Sequence, residues 1–349
     1  MPDAPHVVAV TTLLMTYNHA GLIEQAVESA LAQEVDGGHE ILIIDDFSTD
    51  DTGEIVRAYG DKYPDVIRLL PSEQNMGNPA VRARGTRAAR GAYVALLDGD
   101  DYWTSPQKLR KQVAFLDRRP DCAICFHNAI VVYDSGTDEP HPFHSQNPSQ
   151  RLSRPVPPET STLEDVAVGN FMQTSSVMFR NGLIDRFPKW YFEAGILSDW
   201  PFHVLNAEHG CIGYIDEALS VYRVHAGGAW SDRISYYQDP KDLVDIMAIY
   251  DRINQHLGFR HDRRIRKQTA YLAARAAGLL AEDGLLAEAA VHARRSLSDA
   301  PNLKGVRGRM RLEVLARPRL ARLHSKARVA RSATRGRLSQ LRANRPLRK

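Results

Sequence analysis

Between residues 8 and 98 the chain alternates short apolar, β-branched runs with stretches of helical periodicity, and this alternation restricts the fold more than any other feature. VVAVTTLLMTY ends in a polar corner, and NHAGLIEQAVESALAQ follows with Leu22, Ile23, Ala26, Val27, Ala30 and Leu31 on one helical face. HEILIID reads as a second strand. Ser48 with Asp50 or Asp51 can cap a helix from Thr52 to Tyr59, VIRLLPS is a third strand, Pro79 to Arg90 is a helix closed by Gly91, and AYVALLD is a fourth strand. This rhythm predicts an α/β fold with a mostly parallel sheet covered by helices on both faces. Ligands on such sheets bind at the carboxyl ends of the strands. Polar residues gather at those ends: Thr16, Tyr17 and Asn18, then Asp45 and Asp46, then Asp98, Asp100 and Asp101. One crevice would collect them.

Further along, SPQKLRKQVAFLDRR reads as a helix and CAICFHNAIVVYD as a strand. Residues 134–162, rich in Pro, Ser and His, predict a long surface loop. FMQTSSVMFRN reads as a strand, SDWPFHVLNAEHG as a helix and CIGYIDEALSVYRVH as a strand. From about residue 240 the pattern is helical, and its last two segments resemble a single tetratricopeptide-type hairpin, one copy of a unit that normally needs about three. The expected organisation is a first domain over 1–235, a helical region over 236–300 and a basic tail over 301–349, helical or disordered.

With 349 residues, 43% of them hydrophobic, the chain can bury one large core or two smaller ones. It has no run of 18 apolar residues, and MPDAPHVVAV lacks a basic region followed by an apolar stretch, so neither secretion nor a membrane span is expected and the cytoplasm is the expected location. Three cysteines, Cys122, Cys125 and Cys211, are too few for a disulfide framework and suit a reducing compartment. Cys122 and Cys125 form a CxxC, but they sit in an apolar strand with no second pair, which favours a packing role over zinc or redox chemistry. The histidines of residues 141–144 read as solvated.

Three carboxylates within four positions, at the end of a buried strand, raise one another's pKa unless something cationic offsets them. A divalent metal with oxygen ligands is the simplest candidate, and Mg²⁺ or Mn²⁺ typically combines one or two carboxylates with phosphate oxygens. A nucleoside diphosphate would complete such a shell.

MTYNHAGLIEQAVESALAQ, ILIIDDFSTDDT and NMGNPAVRARGTRAARGAYVALLDGDDYW together resemble the opening of a family 2 glycosyltransferase of GT-A fold. TSSVMFRN, SDWPF and YRVHAGG extend the likeness to about residue 232. The resemblance implies a metal-dependent, inverting transfer of a sugar from a nucleotide donor, a UDP-sugar being the expected one, to a hydroxyl of a cell-surface glycan or lipid-linked acceptor. It assigns Thr16 and Tyr17 to the base and ribose, Asp46 to uracil or its equivalent, and Asp45 to the turn. Arg82 matches a donor-binding arginine, although Ala83 replaces the asparagine usual after it. Asp98, Gly99 and Asp100 match the DXD motif, with Asp100 the foremost metal ligand, Asp98 beside it and Asp101 a candidate second. Asp199 matches the catalytic base, which usually follows a glutamate and here follows Ser198. Arg223 matches a residue that closes over the diphosphate, and His225 one that reaches the metal. Trp103 and Trp230 are candidates to line the sugar sites. The Ser198 and Ala83 departures motivate an alternative, a catalytically impaired nucleotide-sugar-binding or scaffolding protein on the same fold. A nucleotidyltransferase would need a glycine-rich loop with a lysine near the first strand, which TLLMTYNHAG lacks.

Charge divides the chain. Residues 301–349 hold 16 Lys and Arg against Glu313 alone, so the tail is near +15 and the remainder near −12, within a net charge of +3. The tail suits an anionic membrane surface, with Leu312, Leu315, Leu320 and Leu323 as a shallow apolar face. The competing reading is an arginine-rich disordered tail without a partner. Nucleic acid is disfavoured, because His324 is the tail's sole ring.

Overall fold

The computed structural model describes residues 8–133, 141–142, 158–225, 228 and 239–301. The chain forms two compact units, Met1–Arg233 and Ile234–Lys349. The basic tail, Trp230 and most of the 134–162 segment lie outside the described residues.

In the first unit, β1 (Val8–Thr16) pairs in parallel with β2 (Gly38–Asp45) on one side and β4 (Tyr93–Asp98) on the other, and β2 pairs in parallel with β3 (Ile67–Leu69). Register decides what the sheet presents. Thr16 lies opposite Asp45 and Met15 opposite Asp98, so three strands release their polar ends at one level. Beyond β4 the sheet continues through β9 (Met178–Arg180), β6 (Cys122–Tyr133), β10 (Cys211–Val224) and the short β5 (Tyr102–Trp103), in the order β3-β2-β1-β4-β9-β6-β10-β5. β9 is antiparallel to both neighbours, β10 is parallel to β6, and β5 runs antiparallel along β10. The sheet is thus mixed and mostly parallel. β7 (His141–Pro142) pairs with β6 and β8 (Thr160–Ser161) with β10.

Helices α1 (Ile23–Leu31), α2 (Thr52–Lys62), α3 (Asn78–Ala88) and α4 (Lys108–Arg118) flank this sheet, followed by α5 (Leu163–Ala167) and α6 (Asp199–Ala207). α1 buries Ile23, Ala26, Val27 and Ala30, the face its periodicity predicts, against a core that includes Val10, Leu14, Ile41, Ile43 and Leu97. Each fully buried branched aliphatic side chain contributes about 1.5–3 kcal/mol. α3 lies close on β1 because residue 85 is glycine: a Cβ there would sit 2.3 Å from Leu13 Cδ1. That close approach positions Arg82 on the same helix.

The second unit contains α7 (Pro240–His256), α8 (Asp262–Glu282) and α9 (Leu286–Asp299). α8 and α9 form a hairpin with Ala277 and Ala293 in its core, tied by the Ser296 hydroxyl to the Ala270 carbonyl at 2.8 Å. Among the described residues, no helix is long and apolar enough to cross a membrane.

Three expectations are corrected. Cys122 and Cys211 are joined by a disulfide rather than unpaired. The parallel register of β6 and β10 sets these two residues opposite one another across 89 residues of chain, a pairing that spacing cannot reveal. The strand expected over residues 171–181 shrinks to Met178–Arg180, preceded by a 3₁₀ turn at Thr174–Ser176. There the Ser175 and Ser176 hydroxyls bond to Gln173, offering the backbone an alternative to the ladder. Trp103 belongs to the core and does not line a sugar site: it is 4% exposed, its indole N–H donates to the Ser175 carbonyl at 2.8 Å, and Lys108 Nζ lies 3.9 Å from its ring centroid.

Candidate active site

The corner after β1 is laced to the corner after β2. Asn18 takes a left-handed conformation with φ 55°, which a short polar side chain tolerates. Its Oδ1 accepts the Thr49 N–H at 2.8 Å, while its own N–H donates to Ser48 Oγ at 2.9 Å. The His19 N–H donates to Thr52 Oγ1 at 2.8 Å. Asp45 Oδ1 accepts from the Ser48 backbone at 3.1 Å and from its hydroxyl, so Asp45 shapes the turn. Asp46 turns both oxygens onto the Met76 and Gly77 N–H groups, each at 2.8 Å, and thereby straps the segment that leads into α3. Tyr17 stands exposed at the rim, whereas Thr16 is buried.

After β4 the three acids diverge in role. Asp101 is 1% exposed and spends its carboxylate on Gln173 Nε2 at 2.6 Å and the Arg223 backbone N–H at 3.0 Å. Burial and the nearby Asp100 and Asp98 push it well above the usual carboxylate range. Asp100 instead faces histidines. His225 Nε2 lies 3.2 Å and His19 Nε2 3.7 Å from the same oxygen, Oδ2. Burial alone would raise Asp100, but the His225 hydrogen bond and the two imidazoles hold it below its ordinary value. Asp98 has the opposite balance: burial, then Asp100 and Asp199, push it up to about 8 against the pull of Arg82. The backbone turns between these acids at Gly99, where a Cβ would lie 2.4 Å from Thr16 Oγ1 and 2.9 Å from His19 Nδ1. The glycine therefore makes room for protein side chains.

At the start of α6, Asp199 Oδ1 lies 2.6 Å from Arg82 Nη1 as an ion pair, and its Oδ2 accepts from Thr174 Oγ1 at 2.7 Å. Arg82 is 1% exposed and also donates to the buried Ser198 hydroxyl at 3.3 Å. Burial would raise Asp199, but the Arg82 charge overrides it and keeps the carboxyl below its usual range. The site therefore holds one ionised, fixed carboxylate beside a crowded acid pair. Arg223 lies with its guanidinium 4.7 Å from the Tyr102 ring centroid and bonds Gln25 Oε1.

The structure thus gathers Thr16, Asp98, Gly99, Asp100, Asp101, Arg223 and His225 at the carboxyl ends of β1, β4 and β10, with the Arg82–Asp199 pair beside Asp98. Sequence reasoning missed His19, Gln173 and Thr174. His19 lies within MTYNHAG, and Gln173 and Thr174 lie inside FMQTSSVMFRN, a run whose pattern reads wholly as a strand.

Residues 11–187 match the profile of Glycosyl transferase family 2. The chain belongs to that family. An uncharacterised Mycobacterium tuberculosis protein is 35% identical over 230 residues, a match covering 64% of this chain and 62% of the relative. The Escherichia coli UDP-Glc:α-D-GlcNAc-diphosphoundecaprenol β-1,3-glucosyltransferase WfaP is 36% identical over 110 residues, 31% of this chain and 41% of its own. The match therefore spans less than two thirds of either relative's length. Among solved structures, residues 1–349 of Staphylococcus aureus TarS in complex with UDP superpose with a TM-score of 0.54 at 18% identity, covering 94% of this chain and 92% of that one. A Pyrobaculum calidifontis mannosyltransferase in complex with GDP-Man and Mn²⁺ gives 0.51 at 20% identity, covering 93% and 90%. The sheet is that of the GT-A fold, and this family 2 glycosyltransferase carries its acids where such a sheet presents its ligand crevice.

Proposed function

We propose that this glycosyltransferase moves a sugar, with inversion, from a nucleoside-diphosphate sugar to a hydroxyl of a cell-surface glycan or lipid-linked acceptor. The observation that carries the reading is the pairing of two functions at one set of strand ends: Asp98, Asp100 and His225 as metal donors, and Asp199 held ionised 2.6 Å from Arg82. Asp199 takes the acceptor's proton as its oxygen attacks the anomeric carbon and the bond to the diphosphate breaks. A single displacement from the opposite face inverts that carbon. Arg82 keeps the base ionised before attack, and Thr174 fixes its second oxygen. Tyr17 at the open rim supports nucleoside binding, and Arg223 supports the diphosphate. Asp46 contributes by holding the segment before α3 against the corner that would receive the base. Asp101, spent on Gln173 and the Arg223 backbone, sets the position of Arg223 rather than binding cation.

Two carboxylates and an imidazole fit a Mn²⁺ or Mg²⁺ site, and three further facts favour the reading: Asp98 and Asp100 lie two residues apart, His225 lies 3.2 Å from Asp100, and the mannosyltransferase of similar fold is solved with Mn²⁺. Bound there, the cation would offset charge growing on the leaving diphosphate. WfaP by name uses UDP-Glc and a diphosphoundecaprenol-linked sugar, and TarS is solved with UDP, which makes a UDP-sugar the first donor to try.

Purified protein with Mn²⁺, a panel of nucleotide sugars and undecaprenyl-linked or polysaccharide acceptors should release nucleoside diphosphate, and Asp199→Asn should abolish release while leaving nucleotide binding intact. Full activity in Asp199→Asn would sink the assignment. The basic tail would hold the enzyme near an anionic bilayer carrying its acceptor; flotation with acidic liposomes should be lost on deleting 301–349 and at high salt.

A further inference from the structure

His19 stands outside every role given above, yet the fold treats it as a built part of the site. Its Nε2 is 3.7 Å from Asp100 Oδ2, and that oxygen is 3.2 Å from His225 Nε2. The three donor atoms lie within 4.8 Å of one another, and the imidazole rings stand at 80° with centroids 6.2 Å apart. Donors each roughly 2.1 Å from one cation fall at separations of this order. Two imidazole nitrogens and one carboxylate oxygen therefore stand within reach of one cation.

The ring is held in that attitude from behind. His19 Nδ1 lies 3.2 Å from the hydroxyl of buried Thr16, which uses the second nitrogen and leaves Nε2 toward Asp100. A hydrogen bond on the remote nitrogen is what fixes tautomer and orientation in histidine ligands. The main chain of His19 is anchored to Thr52, and the glycine at 99 clears space where a Cβ would press on both Thr16 and His19.

We infer that His19 is a fourth cation ligand beside Asp98, Asp100 and His225, forming with the last two a two-histidine, one-carboxylate face that selects Mn²⁺ and later transition metals over Mg²⁺. The selectivity follows from chemistry: imidazole nitrogen suits transition metals, whereas Mg²⁺ demands oxygen and sheds water reluctantly. The inference rests on the metal-dependent reading of the site and adds to it a ligand and a preference.

The test uses full-length protein without sugar donor, titrated with Mn²⁺ by electron paramagnetic resonance and with Co²⁺ by visible absorption, with and without UDP. His19→Gln should weaken Mn²⁺ and Co²⁺ by about 10–100-fold. Mg²⁺, read by competition, should change far less, so that discrimination collapses. His19→Cys should retain Co²⁺ and add a thiolate-to-metal charge-transfer band, a signature that no structural role produces. If Asp100→Asn loses Mn²⁺ while His19→Gln binds it as wild type does and His19→Cys shows no new band, the inference is overturned and the metal site stands. If the wild-type protein binds none of these ions even with UDP, both fall together.

Discussion

Arg82 Nη1, buried on α3, lies 2.6 Å from the carboxylate of Asp199 on the first turn of α6, and the same guanidinium reaches the hydroxyl of Ser198. This contact ties the proposed base to a charge that desolvation makes strong. Burial favours the neutral acid at Asp199, and Arg82 reverses that preference. The base is therefore ionised at acidic pH, and the acid limb of kcat/KM should fall below the usual carboxylate range. Removing the positive charge should raise the carboxyl's pKa and carry that limb toward neutrality. Arg82→Gln also leaves a partly buried carboxylate uncompensated, at up to about 3 kcal/mol of stability, so Arg82→Lys serves as the charge-preserving control. A pH profile in which Arg82→Gln and wild type share one acid limb would show that Arg82 does not set the base.

Gly99 makes a second, steric prediction. An alanine Cβ would meet Thr16 Oγ1 at 2.4 Å and His19 Nδ1 at 2.9 Å, and β1 offers little room because Thr16 is buried. Overpacking of this kind costs about 1–3 kcal/mol. Gly99→Ala should lower the melting temperature by several degrees and displace His19, so Co²⁺ affinity should fall along with stability. A variant that melts and binds Co²⁺ as wild type does would show that this corner gives way freely.

The sheet was legible from sequence because periodicity and strand-end polarity are local signals. Thr16, Asp98 and Asp100 could be placed on one crevice from β1 and β4 alone, and the structure brings them there in register. Tertiary consequences were not legible. Asp101 and Asp100 are adjacent in sequence, yet one carboxylate is consumed by Gln173 and the Arg223 backbone while the other faces two histidines. Trp103 is a candidate from sequence to line a sugar site, but β5 pairs with β10 and the indole lies in the core. The parallel alignment of β6 with β10, which joins Cys122 to Cys211, depends on a sheet order that no local pattern encodes.

That disulfide should carry measurable stability. Closing a loop over a sequence separation of 89 lowers the entropy of the unfolded chain by an amount equivalent to about 4–5 kcal/mol, an upper figure because native and unfolded states both adjust. Reductant should therefore lower the melting temperature of wild-type protein. Cys122→Ser with Cys211→Ser should melt near the reduced wild-type value and stop responding to reductant. Free-thiol titration of the unfolded, unreduced protein should find one cysteine, Cys125, and three would refute the bond.

His203 gives a pH prediction of opposite origin to that of Asp199. It lies one turn along α6 from the base, fully buried, with neither ring nitrogen hydrogen-bonded to protein. Desolvation lowers its pKa from 6.5 to about 3, overriding the pull of Asp199. The unfolded chain therefore binds a proton below pH 6.5 that the folded chain refuses until about pH 3. Stability should fall as pH drops through that window, by about 2–3 kcal/mol from this residue at pH 4.5. Replacing the imidazole with a ring of similar shape and no titration removes the linkage, so His203→Phe should lose less stability than wild type between pH 6.5 and 4.5 in urea melts. Parallel losses in the two proteins would mean that His203 already carries its proton in the folded state, held by the Asp199 charge.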